Sequence, residues 1–313
     1  MKVLIVASYN KNRYAPFIVE QAESLREAGC DVIWFGIRRK GVIGYLREVP
    51  RLRKMIHEER PDVIHAHYGL SCLVANMATR CVPVVSTYHG SDINNRKVRI
   101  LSKIAIRLSA WNIFVSQRNM DLVGAEDGKK CSLIPCGVTL SEEQQMTREN
   151  ARKTLGWNAN EKKVLFAGAL DNDVKDPGLA QQAMEEFTKK GVKAELVELK
   201  GYSRQQVNTL MCACNCILMT SKTEGSPQVI KEAMVCGCPI VSVDVGDVAE
   251  RTDGVEGCYI VKSREPRELA EAIEKALAFT DKTKGREKII EDGLSNHLIA
   301  KRIIATYEHI IGK

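Results

Sequence analysis

Short apolar, β-branched runs alternate with amphipathic stretches along the whole chain. In the first half the runs are KVLIVA, DVIWFGI, DVIHAHY, VPVVSTY, NIFVS and SLIPCG. Between them lie segments such as FIVEQAESLREAG and RKVRILSKIAIRLSA, whose apolar positions follow the helical period. Strands that are nearly all apolar, separated by helices, predict a parallel sheet covered on both faces. The polar stretch TLSEEQQMTRENARKTLGWNANEKK, from Thr139, carries no strand signal and reads as a linker region. The alternation then restarts with KVLFAGA, KAELVEL, CILMTS, PIVSVD and CYIV. The pattern predicts two doubly wound, Rossmann-like α/β domains, residues 1–147 and 148–296, with a last helix over 297–313. Such sheets bind ligands at the carboxyl ends of their strands, so the expected site is the cleft that the two domains face.

The 313 residues suit two domains, and the 44% apolar content is that of a soluble globular protein. MKVLIVASYN is too short an apolar run for a signal peptide, and no run reaches the length of a membrane span, so a cytoplasmic protein is expected. Eleven cysteines lie scattered through strands and helices, as reduced thiols would. The alternating spacing of Cys212, Cys214 and Cys216, and of Cys236 and Cys238, is a poor match to a zinc site, and no metal is expected. No G-x-G-x-x-G follows the first strand and no G-x-x-x-x-G-K-[ST] occurs, which argues against a dinucleotide cofactor and a nucleotide-hydrolysing loop.

Charge divides unevenly. Residues 1–150 hold 22 basic and 15 acidic side chains, leaving 24 of each for the rest, so the net +7 belongs to the first half. That half is expected to meet something anionic.

The chemistry concentrates in SKTEGSPQVIKEAM, Ser221–Met234. Ser226 is a suitable N-cap and Pro227 a suitable first helical residue. Gly225 removes side-chain bulk ahead of the helix. The free N–H groups of the first turn, from Gln228 and Val229 onward, would favour a phosphate. Glu232 lies within the helix, where a carboxylate accepting two hydrogen bonds suits a ribose diol. Glu224, in the loop, would take a hydroxyl on the other side of the phosphates. Sugar, diphosphate and ribose fit that order. The plainer alternative is a capped surface helix with a solvated glutamate.

With EGSPQVIKE standing as E-x7-E, the chain resembles the family 4 retaining glycosyltransferases of the GT-B fold. The likeness runs through IHAHYG, STYHGSD, FVSQ, LIPCGV, VLFAGA, VKDPGLA, MTSKTEGSPQVIKEAM and CGCPIVSVDVGD to a closing helix. It implies that Glu232 binds the nucleotide ribose and Glu224 the donor-sugar hydroxyls. Residues Gly225, Ser226, Pro227, Gln228 and Val229 would hold the diphosphate and sugar. Lys175 would neutralise the departing diphosphate, and His89 would contact the donor sugar. Asp92 would order its own loop on the acceptor side, where Asn10 and Tyr14 are further candidate contacts. The last helix would pack back on the first domain. The implied reaction is metal-independent transfer of a sugar from a nucleotide-diphosphate donor to a saccharide or lipid-linked acceptor, with no cofactor. Two departures stand out: Ala169 occupies the place of an arginine that many members pair with the lysine, leaving Lys200 or Lys222 as substitutes. SYNKNRYAPF replaces a glycine-rich loop.

His65, His67 and His89 near one sheet edge raise a zinc site, but no further ligand completes it; a packed or surface-exposed His65, with only His89 facing the cleft, is the expected arrangement. In Arg38–Arg60 the residues Val42, Tyr45, Leu46, Val49, Leu52 and Ile56 fall at helical spacing, broken at Pro50, among Arg47, Arg51, Arg53 and Lys54. That segment is either an ordinary packed helix or a patch touching anionic membrane, which would place the protein at the inner membrane surface. With 5% aromatics and no RNA-binding signature, nucleic acid is not an expected partner. The rival readings are a non-catalytic sugar-nucleotide-binding protein or partner subunit, kept alive by Ala169, and a sugar-nucleotide epimerase on the same scaffold.

Overall fold

The structure, a computed structural model, describes residues 1–10 and 12–312. They form two compact units, one of Met1–Gly137 with the closing segment from Leu294, the other Val138–Gly293. These divisions fall ahead of the expected 147/148 and 296/297.

The first unit holds β1 (Lys2–Ser8), β2 (Asp31–Ile37), β3 (Val63–His67), β4 (Val84–Tyr88), β5 (Trp111–Phe114) and β6 (Cys131–Leu133). They pair in the order β2-β1-β3-β4-β5-β6, every pair parallel, with Val3 opposite both Val32 and Val63. Val3, Leu4, Ile5 and Val6 are all buried, as a strand covered on both faces requires. The second unit holds β7 (Lys163–Phe166), β8 (Glu195–Glu198), β9 (Cys216–Met219), β10 (Ile240–Val243) and β11 (Cys258–Val261), in the order β11-β10-β9-β7-β8, again all parallel. All eleven expected strands are present. Strand order reverses beside β1 and β3 in the first sheet and beside β7 and β9 in the second. The loops after those strands are where a doubly wound sheet presents ligand sites.

The stretch read as a linker is folded. A 3-10 turn, Glu143–Gln145, leads to the Arg148–Leu155 helix, which Thr147 caps through Asn150 N. Its polar sequence hid a buried arginine. Arg152 is 5% exposed and donates to the carbonyls of Ala213, Asn158 and Ala159 and to Asn215 Oδ1 (2.8 Å). A guanidinium fork satisfying several acceptors replaces the apolar stripe that marks most packed helices. Arg152→Ala strands these acceptors and is expected to cost this unit about 3 kcal/mol, read as a lower urea midpoint.

The Arg38–Arg60 segment makes two helices, Gly41–Leu46 and Val49–Glu59, and Pro50 opens the second rather than breaking a longer one. Tyr45, Val49, Leu52 and Ile56 pack inward, whereas Val42 is exposed. Arg51 is engaged by Glu48 (2.6 Å), by the Gly36 carbonyl and by the face of Phe35 (4.1 Å). Arg53 reaches the Ala78 and Met77 carbonyls. The final helix, Asn296–Ile311, packs on the Pro16–Glu27 helix of the first unit and buries Ile299, Ala300, Ile303 and Tyr307. No helix among the described residues is long and apolar enough to cross a membrane.

Candidate functional site

In the second unit two loops are stitched together beyond β7 and β9. After β7 the chain runs through Ala167, Gly168 and Ala169 to a short turn, Asp173–Lys175, whose entry Asn172 caps through Val174 N (3.1 Å). Thr220, just past β9, donates to the carbonyls of Lys175 and Asp176, both at 2.9 Å, and Lys222 N donates to Val174 O. Arg264 clamps the same place through Asp176 Oδ2 (2.7 Å) and the Thr220 and Ser221 carbonyls. The result brings Lys175 Nζ to 2.6 Å from Glu224 Oε1, both side chains half-buried. Gly168 makes room for this, because a Cβ there would lie 2.6 Å from Lys175 Cγ.

The helix after Glu224 runs Gln228–Val235, with Pro227 as its N-cap and no side-chain cap. The expected cap, Ser226, faces elsewhere: its hydroxyl donates to Asp247 Oδ2 (2.7 Å) and accepts from Lys231 Nζ (3.2 Å). Pro227 therefore precedes the helix instead of opening it. The physical reason is the buried pair Lys231 and Asp247, which draws the serine hydroxyl inward. Burial raises the Asp247 pKa, opposed by Lys231, Ser226 and Arg251. Gly246 seals the loop from the other side. At its φ of +62°, a Cβ would sit 2.7 Å from Gly225 O and 3.2 Å from Glu224 Cβ. Gly246→Ala adds a left-handed strain to that collision. The variant is expected to displace Glu224 and lower nucleotide affinity at least about tenfold, as calorimetric titration would read.

Glu232 is buried on the same helix, and its Oε1 lies 2.7 Å from Arg204 Nη1. Arg204 opens the Arg204–Ala213 helix, which is fixed by a capping box between Ser203 and Gln206. The structure thus gathers Lys175, Glu224, Gly225, Ser226, Pro227, Gln228, Val229 and Glu232 on one end of the second sheet. Of the cations suggested in place of an arginine at Ala169, Lys200 is exposed and paired with Asp171 (2.6 Å). Sequence reasoning missed Arg204, Arg264, Lys231 and Asp247. Arg204 and Arg264 carry no signal, since each meets its partner far along the chain. Lys231 inside E-x7-E was visible, but nothing marked it as buried.

In the first unit, His89 follows β4 and is half-buried. Its Nε2 lies 3.0 Å from His67 Nδ1 and its Nδ1 3.6 Å from Cys136 Sγ. The rings of Phe17 and Tyr68 stand 4.9 and 4.7 Å from its centroid. Tyr68 holds a φ of +71°, rare for an aromatic residue. His65 is buried, as expected for a packing histidine, between Tyr307 OH (2.5 Å) and Thr87 Oγ1 (2.6 Å), and stacks on His67. Burial holds the His67 pKa down to about 3, and burial with its histidine neighbours holds His65 well below its ordinary value. Among the described residues no group of His, Cys, Asp or Glu is arranged to hold a metal ion.

Asp92 accepts from the N–H groups of Gly69, His89 and Gly90 at 3.0–3.1 Å. Burial pushes its pKa up to about 6, against those donors, so it stays ionised at neutral pH. A carboxylate so buried and so occupied orders its own loop, the role expected of it. Tyr14 lies between the tilted rings of Tyr9 (4.7 Å) and Trp34 (4.3 Å). It lines a pocket of about 410 Å³ with Asn10, Arg13 and Tyr68. Asn10 is satisfied with its nitrogen donating to the Ile37 and Arg39 carbonyls and its oxygen accepting from Ser8 Oγ. A depression of about 900 Å³ lies at the amino ends of β4 and β5. That is the wrong edge of a doubly wound sheet for the chemistry above.

Residues 142–278 match the model of glycosyl transferases group 1, and residues 15–142 that of glycosyltransferase family 4. A Bacillus subtilis glycosyltransferase assigned to teichuronic acid biosynthesis, TuaC, is 27% identical over 68% of this chain and 60% of its own length. An uncharacterised glycosyltransferase of Methanocaldococcus jannaschii is 25% identical over 87% of this chain and 78% of its own. A D-inositol 3-phosphate glycosyltransferase of Gordonia bronchialis is 23% identical over 71% and 59%. The chain thus spans about three fifths of the first and third of these relatives. In fold it is similar to sucrose-phosphate synthase of Thermosynechococcus elongatus, with TM-score 0.83 at 17% identity, covering 100% and 99% of the two chains. It is also similar to Anabaena HepE in complex with UDP, with TM-score 0.75 at 19% identity, covering 99% and 100%.

Proposed function

The chain belongs to the family 4, group 1 glycosyltransferases of GT-B fold, and on that premise we propose that it moves a sugar from a nucleotide-diphosphate donor to a saccharide or lipid-linked acceptor, in polysaccharide or glycolipid assembly. The observation that carries this reading is Lys175 against Glu224 beside the uncapped start of the Gln228–Val235 helix, with Glu232 inside that helix. A cation and a helix start together suit a diphosphate, and flanking carboxylates suit the hydroxyls on either side of it.

In this mechanism Glu232, steadied by Arg204, accepts from the ribose hydroxyls. The backbone of Gly225–Val229 receives the diphosphate. Glu224 accepts from the donor sugar, and His89 donates a hydrogen bond to it. The bond from the anomeric carbon to the phosphate oxygen breaks while a bond to the acceptor oxygen forms on the same face. The acceptor proton passes to the departing phosphate, so configuration is retained. Lys175 neutralises the charge that develops on that phosphate, a role a metal plays elsewhere.

The second reading, binding without turnover, rests on Ala169. Arg204 and Arg264 bring cations near this end of the sheet by another route, which favours the transferase. Peripheral membrane contact through Arg38–Arg60 is the weaker part of the proposal, because Arg51 and Arg53 are engaged within the unit.

A thermal-shift screen of UDP-, GDP- and ADP-sugars tests the reading. The Anabaena protein of the same fold was solved with UDP and with UDP-glucose, so UDP-glucose heads the screen. One nucleotide series is expected to raise the midpoint, by about 2.7 kcal/mol of stabilisation at a hundredfold excess over Kd. Glu232→Ala should abolish that shift. Absence of a shift with all three series would overturn the proposal.

A further inference from the structure

The Arg96–Leu108 helix, RKVRILSKIAIRL, begins at Asn95, whose side chain accepts from Lys97 N (3.0 Å) and Val98 N (3.4 Å). Its inner face centres on small residues, flanked by the partly buried Leu101 and Ile106. Ser102 and Ala105 are fully buried, and Ser102 Oγ donates to the Asp92 carbonyl at 2.9 Å. Gly69, on the neighbouring Gly69–Ala78 helix, comes so close that a Cβ there would overlap Ser102. Three further large apolar residues of the helix are left outside. Ile100, Ile104 and Leu108 are 66%, 43% and 54% exposed. Four-residue spacing places them in one stripe about 12 Å long.

The same outer face carries Arg96, Lys97, Lys103 and Arg107, all exposed. The helix contains no acidic residue, and among the described residues none of these four cations sits in an ion pair with a carboxylate. Single exposed apolar residues are ordinary on a protein surface. Three in register, interleaved with four unneutralised cations, are not.

We propose that this face docks the first unit on an anionic phospholipid bilayer. Isoleucine and leucine side chains would enter the headgroup–acyl boundary while the lysines and arginines meet lipid phosphates. Charge complementarity selects this occupant. A twofold contact between copies of the chain would set the cations against their own kind, and a nucleic-acid backbone offers nothing to three aliphatic side chains. The inference stands independently of the transfer reaction, because none of these residues belongs to the donor site.

Co-sedimentation with vesicles tests it, using the full chain with phosphatidylcholine alone or mixed with phosphatidylglycerol. The protein is expected to sediment with the mixed vesicles only, and less as salt rises. Lys103→Ala and Arg107→Ala should each weaken binding about fivefold. The double variant Ile100→Ser, Ile104→Ser should weaken it at least about tenfold. A nucleotide-induced thermal shift or circular dichroism spectrum like that of the parent shows that these variants are folded. Three results would overturn the proposal. One is no sedimentation with the mixed vesicles at low salt. Another is unchanged binding in the double variant, or loss of binding only when Arg39 and Arg47 are replaced. The third is conversion of a dimer to a monomer by the isoleucine changes, which would make the stripe a subunit interface.

Discussion

Lys175→Ala is expected to lower kcat by about two to three orders of magnitude while changing donor KM far less. Lys175 Nζ is held 2.6 Å from Glu224, so its charge is already partly offset. When the sugar–phosphate bond breaks, negative charge grows on the departing oxygen, and a cation fixed beside it gains most at that moment. Removing one such preorganised group costs about 3–4 kcal/mol of transition-state stabilisation. Lys175→Arg keeps the charge but lengthens the side chain against Gly168, where space is already tight, so only part of the rate should return. Steady-state kinetics on both variants check this. An equal fall in affinity for unreactive nucleotide would mean that Lys175 serves binding alone.

The second large effect is acid lability of the first unit. His67 is buried with its pKa held near 3, and His65 is held down in the same direction. In the unfolded chain both return to about 6.5. Their folded pKa values are depressed, so the unfolded state binds more protons between those limits. Stability is full above about pH 6.5 and falls as pH drops toward the folded values. For His67 alone, moving from pH 7 to pH 5 should remove about 2 kcal/mol; His65 adds to it, and Asp92, with its folded pKa raised to about 6, offsets part of it. Urea midpoints at the two pH values measure this. His67→Asn should flatten the dependence by about one proton at pH 5, and an unchanged slope would show that His67 carries no such penalty.

The sequence made the strands plain and the side-chain partnerships obscure, for a physical reason. A strand buried on both faces, such as Val3–Val6, has to be apolar throughout, and that reads directly from the chain. The E-x7-E glutamates were legible because a helix start, a glycine and a proline lie between them. Ser226 misled because capping is a local rule, while Lys231 and Asp247 compete for its hydroxyl from elsewhere in the fold. Arg152 misled in the opposite sense. Its surroundings read as polar linker, yet a guanidinium with enough carbonyl partners can sit where an apolar residue normally would. Arg204 could not have been found at all, since its pairing with Glu232 depends on how the Arg204–Ala213 and Gln228–Val235 helices meet.

The closing helix returns to the unit that the chain began with, and its Tyr307 completes the hydrogen bonds of His65. During synthesis the first unit therefore waits. Its six strands leave the ribosome early, but the helix that covers one flank and the hydroxyl that satisfies a buried imidazole arrive only after the second unit has been made. The second unit, by contrast, is continuous in sequence from Val138 to Gly293 and can finish without anything made after it. Late in translation, the order of completion runs opposite to the order of emergence.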